Sequence, residues 1–120
     1  MAKHLLIVDD EEQIREILCD TLTAAGYRVT TVATADEALR VVQSDPPNLM
    51  ITDLQLGESD GFAVVERVKA LNASLPIIML TGVIMDPDEI PAEFARHIVA
   101  YLPKTGSLAS IVQEVKRWVT

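Results

Sequence analysis

Four short, almost wholly apolar runs, each ending at a polar or charged side chain, constrain this chain more than any other feature. Leu5-Leu6-Ile7-Val8 ends in Asp9-Asp10, and Leu49-Met50-Ile51-Thr52 ends in Asp53. Ile77-Ile78-Met79-Leu80 ends in Thr81, and Val99-Ala100-Tyr101-Leu102-Pro103 ends in Lys104. Such runs read as strands covered on both faces, as in a parallel sheet. In open α/β sheets, ligands bind beyond the carboxyl ends of the strands. Three carboxylates, a hydroxyl and an ammonium are therefore expected to converge on one pocket, a set suited to a hard divalent cation and a phosphoryl group.

The segments between the runs carry helical patterns, and strands alternating with helices predict an α/β fold. From Glu12 to Ala25, Ile14, Ile17, Leu18, Thr21, Leu22 and Ala25 recur at helical spacing, and Gly26 is placed to end the helix. Tyr27 to Val32 reads as a weaker, alternating strand suited to an edge. Thr34-Ala35-Asp36-Glu37 has the form of a capping box opening a helix through about Gln43. Asp45-Pro46-Pro47-Asn48 is a loop into the next strand. A third helix is expected over Gly61 to Leu71, with Phe62, Val65, Val68 and Leu71 inward. Ser107 caps a last helix whose stripe is Leu108, Ile111, Val112, Val115 and Val119.

With 120 residues the chain is expected to form one domain, residues 1–120. No apolar stretch approaches the roughly 20 residues needed to span a bilayer. Met1-Ala2-Lys3-His4 leads into a strand without a signal-peptide pattern. A single cysteine, Cys19, cannot form an internal disulfide, and a cytoplasmic setting is expected. The net charge of −8 argues against direct contact with nucleic acid, which is recognised by basic patches.

Taken in order, Asp9-Asp10, the stretch from Asp53 to Gly61, Thr81-Gly82 and Tyr101-Leu102-Pro103-Lys104 resemble the receiver domains of two-component response regulators, including the chemotaxis type. The resemblance covers essentially the whole chain. It implies a flavodoxin-like, doubly wound five-stranded parallel sheet in the order 2-1-3-4-5, with about five helices. It implies that Asp53 is the phosphoacceptor and that Mg²⁺ is held by Asp9, Asp10, Asp53 and the main-chain carbonyl of Gln55. Asp10 would ligate directly and Asp9 through water. Lys104 would contact the phosphoryl oxygens, Thr81 would hydrogen-bond the bound group, and Gly82 would leave the acceptor open. Thr81 and Tyr101 would act as the switch, with Tyr101 changing rotamer on activation. The implied partners are a histidine kinase or histidine phosphotransfer protein and an unidentified downstream target. Neither nucleic acid nor membrane is implied as a direct partner. A homodimer could form through the face of the fourth helix, fifth strand and last helix. No separate enzyme activity is implied beyond the chain's own phosphorylation and dephosphorylation.

The chain departs from the pattern in two places. Thr105 follows Lys104 where the family usually has proline, and a cis bond there would cost about 3 kcal/mol. Asp86-Pro87-Asp88-Glu89 resembles a helix start, but Pro91 falls a turn inside it and would remove a helical hydrogen bond. The fourth helix is therefore expected to be short, late or kinked, and the Asp86 to His97 segment to be the part that phosphorylation orders. His4 and His97 have no evident phosphotransfer setting, and Trp118 and the other aromatic residues read as packing.

Three rival readings differ in these residues. A receiver fold used only as an unphosphorylated interaction module has no need of the full set of acids, Thr81 and Lys104. A phosphatase with a strand-end aspartate usually carries a second acid two residues on, where this chain has Gln55. A flavin-binding domain needs a Ser/Thr/Gly-rich phosphate loop after the first strand, and none is present.

Overall fold

The computed structural model describes residues 2–53, 55–56, 59–81, 92, 96–103 and 106–119. The elements in chain order are β1 (His4–Val8), α1 (Glu12–Ala24), β2 (Arg28–Val32), α2 (Ala35–Ser44), β3 (Leu49–Asp53), β4 (Gln55–Leu56), β5 (Ser59–Asp60), α3 (Gly61–Leu71), β6 (Ile77–Thr81), β7 (Ala100–Pro103) and α4 (Leu108–Trp118). Five strands form one parallel sheet in the order β2-β1-β3-β6-β7, which is the expected 2-1-3-4-5. The two-residue strands β4 and β5 add a small antiparallel hairpin after β3. Four helices have described bounds, and Ala92 is helical as well. The expected helix start at Asp86, with Pro91, lies outside the described residues, as do Gly82, Lys104 and Thr105.

Alternation along the strands divides the core into two layers, because successive side chains of a strand point to opposite faces. Leu6 and Val8 join Met50, Ile77 and Met79 under α2 and α3, where Leu39, Val42, Val65 and Val68 close the layer. Leu5 and Ile7 join Leu49, Ile51, Ile78 and Leu80 under α1 and α4, where Leu18, Leu22, Ile111 and Val115 close the other. Fully burying each such side chain contributes roughly 1.5–3 kcal/mol. Two of the three interior strands, β1 and β3, are buried along their whole length, which is why they read as unbroken apolar runs.

Local signals set the helix ends. Gly26 takes φ 102°, and its N–H donates to the Thr23 carbonyl at 3.0 Å while the Tyr27 N–H reaches Leu22 at 3.2 Å. That pair of bonds is a Schellman cap, for which glycine carries no Cβ penalty. The Thr34 hydroxyl accepts from the Glu37 N–H at 3.3 Å and donates to the Glu37 carboxylate at 3.0 Å. Ser107 caps α4 by accepting from the Ser110 N–H at 3.1 Å.

Some expected inner positions face outward. Ile17 is 45% exposed and Leu71 48% exposed. Ile17 lies about 100° around the helix from the buried Leu18, beyond the stripe the sheet covers. Trp118 is also largely exposed and lies over its own helix, with its indole N–H donating to Glu114 at 3.3 Å and the Arg117 guanidinium 6.0 Å from its ring centroid. Burial along β2 increases toward Val32 and does not alternate. His4 is buried at the amino end of β1, away from the strand-end acids, with Nε2 2.7 Å from the Thr30 hydroxyl.

Candidate functional site

The parallel registers bring the strand ends together. Val8 pairs with Thr52 across β1 and β3, so the next residues, Asp9 and Asp53, emerge side by side. Asp53 in turn pairs with Leu80 across β3 and β6, and Thr81 with Pro103 across β6 and β7. The sheet therefore lines up the ends of four strands on one edge, as the apolar runs imply. Gln55 opens β4 two residues past Asp53, and Lys104 follows Pro103 in the chain.

One carboxylate oxygen from each of Asp9, Asp10 and Asp53 lies within 4.8 Å of the others. Asp9 and Asp53 are buried, at 1% and 7% exposure, while Asp10 is exposed. Three carboxylates at this spacing repel one another, and a cation relieves that repulsion. An all-oxygen donor set suits Mg²⁺, whose octahedral shell at about 2.1 Å places opposite oxygens about 4.2 Å apart. The residues present therefore fit a hard divalent cation.

The turn after β1 explains how the acids are held. The Asp9 N–H continues the sheet by donating to the Val32 carbonyl at 3.1 Å. Asp9 Oδ1 accepts the Glu11 N–H at 2.9 Å, so the acid itself ties down the entry to α1. The N-cap position of that helix, Glu11, makes no side-chain cap of its own. A carboxylate beside the first turn is also favoured by the helix dipole.

Tyr101 packs its ring against the layer under α2 and α3. Its hydroxyl is buried and has no hydrogen-bond partner among the described residues, and burial pushes the phenol above its ordinary pKa. Two residues that the sequence reading passed over also touch this edge. The Thr52 hydroxyl donates to the Asp53 carbonyl at 3.2 Å, and Arg15 Nη1 donates to the Asp9 carbonyl at 2.8 Å. No local pattern marks them, because each bond depends on how the strand or helix leaves the sheet.

Residues 5–116 match the family of the response regulator receiver domain. The chain belongs to that family. This receiver domain is 35% identical over 112 residues to the transcriptional regulatory protein GlrR of Escherichia coli (strain K12), covering 93% of the chain and 25% of that protein. It is 37% identical over 82 residues to the alkaline phosphatase synthesis transcriptional regulatory protein PhoP of Bacillus subtilis (strain 168), covering 68% of the chain and 34% of that protein. The receiver domain thus spans a quarter to a third of the length of these curated relatives. Among solved structures, the Vibrio cholerae chemotaxis protein CheY4 superposes with a TM-score of 0.88 at 26% identity, covering 99% of this chain and all of that one. No described helix is long and apolar enough to cross a membrane.

Proposed function

We propose that the chain is a phosphoacceptor of a two-component or phosphorelay system, taking its phosphoryl group onto Asp53 with Mg²⁺. The observation that carries this reading is the convergence of Asp9, Asp10 and Asp53 at the carboxyl ends of β1 and β3, in a chain of the receiver family. The donor is a phosphohistidine on a histidine kinase or a histidine phosphotransfer protein. A carboxylate oxygen of Asp53 forms a bond to phosphorus as the nitrogen–phosphorus bond breaks, and the electron pair returns to the imidazole. Mg²⁺ would be held by Asp9, Asp10, Asp53 and the Gln55 carbonyl, and when bound it offsets negative charge on the transferring oxygens. Lys104 adds a second positive charge, and the Thr81 hydroxyl donates to the phosphoryl group once it is on Asp53. The 120 residues act as one receiver unit in the cytoplasm, with no catalysis beyond their own phosphorylation and dephosphorylation.

Signal output runs through Thr81 and Tyr101. A buried tyrosine hydroxyl without a partner costs about 1–3 kcal/mol, and outward rotation of the ring relieves that cost. Movement of Thr81 toward the phosphoryl group frees space for one ring position over the other, which biases a pre-existing equilibrium. The surface for the downstream target, or for a second copy of the chain, then includes β7 and α4.

Incubation with acetyl phosphate and Mg²⁺ followed by intact mass tests the reading. The wild-type chain is expected to gain one base-labile phosphoryl group, and Asp53→Asn none. Equal uptake by the variant moves the acceptor elsewhere. No uptake by the wild type leaves the interaction-module reading in its place.

A further inference from the structure

We propose that Arg15 is a positioning residue that holds Asp10 in the acid cluster by fixing the peptide unit between Asp9 and Asp10. This rests on the metal-site reading above. β1 ends at Val8, so the Asp9 carbonyl has left the strand ladder. A partly buried carbonyl needs a donor from elsewhere. Arg15, in the first turns of α1, supplies it at 2.8 Å.

The consequence passes to Asp10 through covalent geometry. A trans peptide is planar, so the Asp9 carbonyl oxygen and the Cα of Asp10 belong to one rigid unit. At its start the unit is held by the Asp9 N–H on Val32 and by Asp9 Oδ1 on Glu11. At its oxygen it is held by Arg15. Rotation of the plane, which would swing the exposed Asp10 away from the other two acids, breaks the Arg15 bond. Repulsion among the acids favours that swing when no cation is present.

The direction of the Arg15 side chain supports positioning over simple charge balance. Arg15 shares a surface hollow with Glu12, Glu16 and Asp20. A solvated arginine there would be expected to pair with one of them, yet among the described residues Arg15 forms no ion pair. Its guanidinium is turned to a main-chain oxygen instead, through a single bond from Nη1.

The two roles predict opposite signs. If Arg15 acts only as a nearby positive charge, removing it strengthens Mg²⁺ binding, because a like charge is taken away from the cation. If it positions Asp10, removing it weakens binding. The test is Mg²⁺ titration of wild type, Arg15→Met and Arg15→Lys by calorimetry and by thermal melting, using magnesium chloride alone. Arg15→Met keeps much of the side-chain stem and is expected to lose about tenfold in Mg²⁺ affinity, as outer-shell changes at metal sites do. Arg15→Lys is expected to recover part of that loss. Wild-type or tighter affinity in folded Arg15→Met overturns the proposal. Should Arg15→Met not fold, Arg15→Gln, whose amide is too short to reach the Asp9 carbonyl in the same way, decides, and wild-type or tighter affinity there overturns the proposal. A wild-type chain with no Mg²⁺ response overturns the metal site itself, and this proposal with it.

Discussion

Asp53 and Leu80 are Cα partners across β3 and β6, which sets Thr81 one residue past the acid on the neighbouring strand. The spacing between strands of a sheet is about 4.8 Å, so adjacent strand ends stand within reach of a group the size of phosphate. Leu80 is itself buried under α1 and α4, and this anchors the register from below. A slip by one residue would turn Leu80 to the other face, so the core fixes which residue of β6 stands beside the proposed acceptor.

Mg²⁺ should raise the melting temperature, because it binds the assembled acids and not the unfolded chain. Asp10→Ala should abolish that response. Without metal the same variant should melt no lower than wild type, since it removes one of three mutually repelling carboxylates. A metal-dependent shift that survives in Asp10→Ala removes this residue from the site.

The Tyr101 phenol should make stability depend on alkaline pH. Burial raises its pKa in the folded chain above the usual value of about 10. Above pH 10 the unfolded chain loses the proton first, so the folded state holds more protons. Stability from this group is therefore complete below about pH 10 and declines as pH rises toward the folded-state value. Tyr101→Phe should remove the decline, and at neutral pH it should cost little or stabilise, because the hydroxyl has no partner to lose among the described residues. Denaturant melts of both chains at several alkaline pH values check this. Parallel pH profiles would show that the phenol is not the source.

Neighbouring residues of α1 should respond very differently to truncation. Leu18→Ala removes a fully buried side chain and should cost about 2–5 kcal/mol in denaturant unfolding. Ile17→Ala, on the exposed side, should stay within about 0.5 kcal/mol. Similar costs for the two would mean that the helix is rotated from the described position.

Gly26→Ala should destabilise although a Cβ there meets nothing within 4 Å. The cost comes from φ 102° alone, a region that L residues rarely adopt, and should be about 1–2 kcal/mol. A neutral result by equilibrium unfolding would show that the Schellman cap can relax.

The strands were legible because β1 and β3 are buried on both faces, and continuous burial leaves an unbroken apolar run that needs no partner to be recognised. The helix ends at Gly26, Thr34 and Ser107 were legible for a similar reason, since each depends on contacts only a few residues away. The outward positions of Ile17, Leu71 and Trp118 were not. Helical spacing marks a stripe, but how wide a stripe the sheet covers depends on where each helix sits over it.

By itself the sequence determined which residues end the strands, and so which acids, hydroxyl and ammonium are available to the site. Strand order came from resemblance, because periodicity carries no information about which strand lies beside which. Only the tertiary structure decided that Asp9 and Asp10 differ, one buried and tied to Glu11 and the other exposed. It alone turned Arg15 from the acids of its own helix to the Asp9 carbonyl. Both outcomes depend on the angle at which the chain leaves β1 and enters α1. That angle is set by contacts between residues distant in sequence, such as Asp9 with Val32, and these exist only once the sheet has formed.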